Sequence, residues 1–135
     1  MSKIVIDASG SVLGRLASYV AKQSLLGKEV AVVNCDQIHI VGVKESILEK
    51  RRHDVRGRHG HSMKGPKVPR KDTGRVLKRT IRGMLSHKQG RGAEALDRIR
   101  CYPNVPREYV ETKKETITKK IKTSSLTLKE ISTKI

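Results

Sequence analysis

The chain has 135 residues and carries 30 lysines and arginines against 13 aspartates and glutamates, which gives a formal net charge of +17. This length predicts one domain, and about a quarter of the residues are Leu, Ile or Val, more than a charged, disordered chain contains. No stretch approaches the ~20 consecutive apolar residues of a membrane span, and the N-terminus lacks a signal-peptide pattern. We therefore expect a soluble cytoplasmic protein whose charge is neutralised by a polyanion.

Charged and apolar residues are concentrated in different parts of the chain. The formal net charge is +1 over residues 1–50, +12 over 51–100 and +4 over 101–135, whereas more than half of the Leu, Ile and Val residues precede position 51. The first third is therefore expected to build an aliphatic core, since the chain has no Phe or Trp. Cys35 and Cys101 form no C-x-x-C pattern and are expected to be reduced thiols in that core.

The first forty residues predict a strand, a helix and a further strand. Residues 3–6 form a short run dominated by β-branched Ile and Val, which predicts a strand. An amphipathic helix is expected to begin with Ser11 as its N-cap and to stop at Gly27. Residues 30–33 form a continuous apolar run typical of a strand buried on both faces, and 38–41 is a second short strand. This order predicts a parallel βαβ unit with a right-handed crossover.

The remaining segments alternate helices with turns. Asp72 or Thr73 is expected to cap the third helix. The segment between the second and third helices has too few apolar residues to pack, so we expect it to be poorly ordered in the free protein. The predicted elements are a second helix at 43–52, a basic loop at 54–71, a third helix to about Leu85, a fourth helix at 92–100, a turn at 102–106 and a terminal helix at 126–135.

The third helix separates basic from apolar side chains. No acidic residue occurs between Thr73 and Ala93, so the cluster of like charges favours a phosphate ligand over a merely solvated face. The basic face comprises Arg75, Lys78, Arg79 and Arg82, and the opposite, core-facing side comprises Leu77, Ile81 and Met84.

The basic loop extends this charge. We interpret the loop as a flexible cationic segment that becomes ordered when it binds a nucleic acid. The alternative is a disordered loop that binds nothing specific. Because aromatic residues are nearly absent, recognition through the backbone and shape of the nucleic acid is favoured over base stacking. The residues concerned are Arg51, Arg52, Arg56, Arg58, Lys64, Lys67, Arg70 and Lys71.

Two further patterns could indicate a metal or a nucleotide. His53, His59 and His61 lie close in sequence, but no cysteine accompanies them at zinc-site spacing, so contacts with RNA are favoured over a metal. The Gly10–Gly14 turn lacks the G-x-G-x-x-G spacing, and Asp36 alone is weak support for a ribose site. Gly14 is instead expected to allow close helix-to-sheet packing, so that Gly14→Val would block folding. We expect neither a cofactor nor a catalytic site, since no nucleophile or base is visible.

Two longer motifs resemble a known family, the universal large-subunit ribosomal protein thirteen (L-thirteen), and the similarity spans about residues 4–106. The first runs as Asp7-x-x-Gly10-x-x-Leu13-Gly14-Arg15-Leu16-Ala17-Ser18-x-Val20-Ala21-Lys22, followed by Gly27-x-x-Val30-x-Val32-Val33-Asn34. The second runs as Thr80-Ile81-Arg82-Gly83-Met84-Leu85-x-His87-Lys88-x-x-Arg91-Gly92-x-x-Ala95-Leu96-x-Arg98.

This resemblance implies a single three-layer α/β/α domain with a small, largely parallel central sheet. It implies a core at about 1–53 and 72–106, the basic RNA-binding loop at about 54–71 and a C-terminal extension at 107–135. Gly65-Pro66 and the Leu-x-His-Lys form are more similar to the archaeal and eukaryotic branch. Ser86 stands where the family usually has Pro, and the 101–106 turn also differs. The short C-terminal extension suggests an archaeal or reduced eukaryotic source, with assembly in the nucleolus if the source is eukaryotic.

The function implied is that of a non-enzymatic constituent of the large ribosomal subunit that binds rRNA, supports assembly and translation, and lies among neighbouring ribosomal proteins. No membrane, small-molecule substrate, metal or cofactor is expected. A DNA-binding module and a small nucleotide-dependent enzyme are the alternatives, although the basic helix face offers no Asn or Gln for adenine. Besides the basic residues of the loop and third helix, the expected RNA contacts are Arg15, Lys22, His59, His61, His87, Lys88 and Arg91.

Overall fold

Four short parallel strands form the centre of the computed structural model, which describes residues 2–56, 71–117, 121 and 123–134. The helices are α1 (Leu13–Leu25), α2 (Lys44–Arg56), α3 (Thr73–Met84), α4 (Gly90–Asp97) and α5 (Leu128–Lys134). The strands are β1 (Lys3–Asp7), β2 (Glu29–Val33), β3 (His39–Val41), β4 (Ile99–Cys101), β5 (Glu115–Thr116) and β6 (Ser125–Thr127).

The central sheet has the strand order β4-β2-β1-β5, with all neighbours parallel. Strands β1 and β2 pair with Ile4 opposite Val30, and α1 connects them, as the sequence predicts. The α/β class with a largely parallel central sheet is therefore confirmed. Strand β3 does not join this sheet but pairs antiparallel with β6, placing Ile40 opposite Leu126.

Strand β2 is buried on both faces, as its continuous apolar sequence predicts. Val30 and Val32 belong to the main core, which α1 covers with Leu16 and Val20. The alternate side chains of β2 pack on the other face of the sheet with Val5 and Tyr109, beneath the segment at 102–110 and its 3₁₀ turn (Arg107–Tyr109). Each fully buried aliphatic side chain contributes about 1.5–3 kcal/mol.

The two ends of α1 differ in how well the sequence predicts them. Gly27 has φ +91° and its N–H donates to the Ser24 carbonyl at 3.1 Å, so the predicted stop is confirmed. The prediction of Ser11 as N-cap is wrong, since Val12 occupies that position without a side-chain cap. Ser11 is instead buried, and its carbonyl accepts a 2.8 Å hydrogen bond from the His39 N–H.

The later helices are correctly predicted in kind but shifted at their ends. Helix α3 begins after Asp72, whose side chain accepts from the Arg75 N–H at 3.3 Å. The predicted fourth helix is wrong beyond position 97, because residues 99–101 form β4 beside β2. Helix α2 extends to Arg56, into the start of the predicted loop, and the terminal helix begins at Leu128 because 125–127 pairs with β3. The expected disorder of the loop concerns mainly 57–70, outside the described residues.

The glycine that allows close packing is Gly92, and the sequence-based expectation for Gly14 is wrong. Gly14 is exposed on α1, and a Cβ built there would meet nothing within 4 Å. A Cβ on buried Gly92 would run directly into the Ser86 carbonyl, and one on Gly74 would come within 2.8 Å of the Cys101 carbonyl oxygen. Glycine is therefore required where α4 approaches the turn after α3 and where α3 approaches β4.

The partly buried carboxylate of Asp7, at the end of β1, holds the loop that follows this strand. The Asp7 Oδ1 accepts from the Ser9 N–H at 3.0 Å and from the Asn34 Nδ2 at 3.1 Å. Partial burial opposes the charged carboxylate, but these hydrogen bonds outweigh it and hold the pKa of Asp7 below its ordinary value of 3.8. Asn34 adopts a left-handed conformation with φ +59°, which its short polar side chain tolerates.

We predict opposite effects for alanine at the two glycines. Gly92→Ala should lower the free energy of unfolding by roughly 1–3 kcal/mol, because the new methyl group displaces backbone. Gly14→Ala should raise it by about 0.5–1 kcal/mol, since the position is open and helical. Urea unfolding of both variants tests this, and a destabilised Gly14→Ala protein would contradict the assignment.

We predict that Asp7→Asn weakens the acid sensitivity of the fold. A carboxyl whose pKa is lowered by folding stabilises the native state above its unfolded pKa, and that stabilisation is lost as the pH falls through the folded value. The variant should therefore be less stable at neutral pH and lose less stability between about pH 5 and pH 2. Thermal melts across this range measure both effects, and parallel curves for the two proteins would show that Asp7 has no such role.

Candidate nucleic-acid interface

Helix α3 presents a cationic face on one side and an apolar face on the other, as predicted. Arg75, Arg79 and Arg82 are exposed, whereas Leu77 and Ile81 are fully buried. The expectation that Met84 is a core residue is wrong, since 46% of it is exposed. It follows Leu77 by two helical turns and so shares its direction, but in the last turn of α3 it lines a surface groove instead.

Two cations of this face have partners that the sequence did not indicate. The Arg75 Nε lies 3.4 Å from the Asp72 Oδ2, in an exposed ion pair that contributes little stability. The Lys78 Nζ donates to the Ile99 carbonyl of edge strand β4 at 3.1 Å. The expectation that this face has no counter-ion is therefore wrong for Arg75, because Asp72 lies just before the helix. Lys78 binds the edge of the sheet.

Five further cations of α1, α3, α4 and the turn between α3 and α4 are exposed, and no hydrogen bond or ion pair of their side chains is seen within the described ranges. Helix α1 packs against both α3 and α4, and these three helices with the turn between α3 and α4 carry all five side chains. We call this set the cationic surface, and its members are Arg15, Lys22, Arg82, Lys88 and Arg91.

The residues around the cationic surface do not neutralise it. Neither α1 nor α3 contains an aspartate or glutamate. In α4, Glu94 lies 3.9 Å from Arg98, with its carboxylate thus directed to another cation. Arg15 and Lys22 lie two turns apart on the exposed stripe of α1, and Lys22 and Arg91 line one groove. Uncompensated cations on neighbouring helices favour an external anion.

Other predicted contact residues are engaged within the fold or lie elsewhere. Arg51 is half-buried and lines a cavity of about 340 Å³ with Lys50. The Arg52 Nη2 donates to the Lys134 carbonyl at 3.5 Å, and the His87 Nδ1 lies 3.2 Å from the Arg82 carbonyl oxygen. Lys71 is exposed. The predicted residues whose side chains lie outside the described part are Arg56, Arg58, His59, His61, Lys64, Lys67 and Arg70.

Sequence reasoning missed two exposed features. Arg100 was assigned to a helix, but it is an exposed residue of β4 opposite Ala31, so it lies on the face of the sheet away from α1, α3 and α4. Leu25 and Leu26, at the end of α1, are exposed beside Met84. Two adjacent leucines at the end of an amphipathic helix were the available signal, because they cannot both face the core.

Side chains considered above as candidates for a ligand site hold loops in the structure. The Asp36 Oδ1 accepts from the Thr73 Oγ1 at 2.7 Å. Cys35 and Cys101 are free thiols, and the hydrogen bond with Cys101, together with burial, raises the pKa of Cys35. Within the described ranges, no group of three His, Cys, Asp or Glu could hold a metal, and no helix is long and apolar enough to cross a membrane.

Comparisons with known proteins identify similar chains. The sequence profile of ribosomal protein L13 matches residues 2–108. The large ribosomal subunit protein uL13 of Methanococcoides burtonii is 46% identical over 105 residues, which are 78% of this chain and 73% of the relative. The uL13 of Methanosarcina barkeri is 47% identical over 115 residues (84% and 79%), and that of Methanocaldococcus jannaschii is 39% identical over 131 residues (95% and 93%).

We predict that Lys78 and Arg82, on the same face of α3, differ in their effect on stability. Lys78→Gln should cost about 0.5–1.5 kcal/mol, because the Ile99 carbonyl loses a charged donor. Arg82→Gln should change the free energy of unfolding by no more than about 0.5 kcal/mol. Chemical unfolding of the two variants separates these cases, and equal stabilities would refute the bond to the sheet edge.

Proposed function

Because the chain belongs to the ribosomal protein L13 family, we propose that it binds rRNA through the cationic surface and the basic loop, and that it thereby supports assembly of the large subunit and translation. It is a large-subunit ribosomal protein of a family not known to be enzymatic. The relatives are archaeal, so the conditional expectation of assembly in the nucleolus does not apply.

The observation that supports this proposal is the cationic surface on α1, α3, α4 and the α3–α4 turn, whose side chains bond to no other residue in the described part of the chain. A phosphate that contacts an exposed Lys or Arg displaces condensed counterions, so each contact gains free energy from their release. Arg82 and Arg91 are arginines, which bind phosphate oxygens with two donors at once. A chain with formal charge +17 also loses self-repulsion when it lies against a polyanion.

The proposed interface extends to residues known here only from the sequence. The basic residues at 57–70 follow directly after α2, whose Arg51 and Arg52 lie in its last turns. Arg79 of α3 is exposed between Arg75 and Arg82 and is included as well. RNA is favoured over duplex DNA because the charge lies on several separate elements, and the basic face of α3 has no Asn or Gln to read adenine in the major groove.

We predict that Arg15→Gln/Arg82→Gln weakens binding to large-subunit rRNA with little effect on folding. Losing two phosphate contacts should flatten the slope of log K against log salt by roughly 1.4–1.8 units. Filter binding over a salt series measures this slope, and duplex DNA of equal length serves as the competing ligand. Tighter binding to the DNA would contradict the proposal.

The matched control is Lys113→Gln/Lys129→Gln, which removes the same charge from two exposed residues outside the proposed interface. It should leave the slope close to that of the unmodified protein. If both double variants flatten the slope equally, binding depends on net charge alone and the cationic surface is not the interface.

A further inference from the structure

Exposed apolar side chains are concentrated at one place on the described surface. Leu25, Leu26 and Met84 are 36%, 64% and 46% exposed, and all three line the same groove. Of the other large apolar side chains exposed within the described ranges, Val41 and Val43 lie by β3 and Val110 beyond the 3₁₀ turn. Single exposed apolar residues need no explanation, but a contiguous group indicates a contact surface.

The groove lies between the C-terminal end of α1 and the turn that joins α3 to α4. It consists of two adjoining hollows of about 390 Å³ and 220 Å³, and both are lined by Leu25, Met84 and Arg91. Ser18 and Lys22 line the first hollow, and Ser86 and Gln89 line the second. The surface is therefore apolar at its centre and offers hydroxyl, amide and cationic groups around it.

The charge of the groove has one sign. Lys22 and Arg91 both line it, and neither side chain is bonded to another described residue. No aspartate or glutamate is among the lining residues. The groove therefore matches a ligand that combines an apolar part with an adjacent negative charge.

We propose that this groove receives one unpaired nucleotide of RNA, with its base against Leu25 and Met84 and its phosphate against Lys22 and Arg91. This inference rests on the proposed function. Sequence-specific RNA recognition uses splayed-out bases. Pockets that receive such a base hold it between aromatic or apolar side chains, and this groove offers the apolar ones. A nucleotide carries a base face and a phosphate in one unit, whereas a peptide would need an acidic residue beside an apolar one.

The test separates the apolar contacts from the charged ones. Leu25→Gln/Met84→Gln should weaken binding to an in vitro transcript of large-subunit rRNA by about 5- to 30-fold with an unchanged salt slope. Lys22→Gln/Arg91→Gln should instead flatten the slope by roughly 1.4–1.8 units. An apolar variant that binds as tightly as the unmodified protein would overturn the proposal.

Two matched variants control for solubility and general surface effects. Leu25→Met/Met84→Leu keeps the apolar surface and should retain the original affinity. Val41→Gln/Val43→Gln makes equally polar changes at exposed residues away from the groove and should also bind normally. Thermal melts verify that each variant is folded. If the control at Val41 and Val43 loses as much affinity, the effect does not belong to the groove.

Crosslinking identifies the occupant directly. A benzophenone amino acid in place of Leu25, within assembled large subunits, should attach to a single rRNA nucleotide. Attachment to a neighbouring protein would show that a peptide fills the groove and would overturn the proposal. The Arg15→Gln/Arg82→Gln experiment tests the proposed rRNA binding independently. If that variant flattens the salt slope as expected while the Leu25→Gln/Met84→Gln variant keeps full affinity, the nucleotide groove is refuted and the proposed rRNA binding stands.

Discussion

The burial of β2 on both faces is the constraint on which the rest of the structure depends. Val30, Ala31, Val32 and Val33 are each at most 1% exposed, between neighbours β1 and β4. A strand in this position cannot carry a charge on either face without a large desolvation cost. The helices on one face and the 102–110 segment on the other follow from the need to cover these side chains.

An aliphatic core of this kind determines where the charges lie. The chain has 30 cationic side chains and no Phe or Trp. Burying a charge in an aliphatic core costs a large desolvation energy, so the cations of the covering helices lie on their outer faces. Helix α3 shows the result, since Ile81 is completely buried while Arg82 is exposed beside it. A few cations, such as Lys78 at the sheet edge, are used by the fold itself. The cationic surface lies on the outer side of the same helices whose apolar faces cover the sheet.

The carboxyl ends of the central strands are occupied by the protein's own side chains. Ligands of open α/β sheets commonly bind at this edge. Here Asp7 holds Ser9 and Asn34, Asp36 holds Thr73, and the Cys35 N–H donates to the Tyr102 carbonyl at 3.1 Å. These polar groups stabilise the loops that follow the strands.

The sequence alone determined the elements whose signal is local. Neighbouring residues alone determine the apolar run at 30–33, the helical period of α1 and the two faces of α3. The family motifs and the excess of cationic residues could also be read directly from the sequence. Tertiary contacts decided the rest. The segments 99–101 and 125–127 are too short to favour a strand without β2 and β3 beside them. Position 92 must be glycine only because the Ser86 carbonyl leaves no room for a Cβ. Met84 has the direction of a core residue but lies where no described element covers it, so the groove arises from packing that no local pattern records.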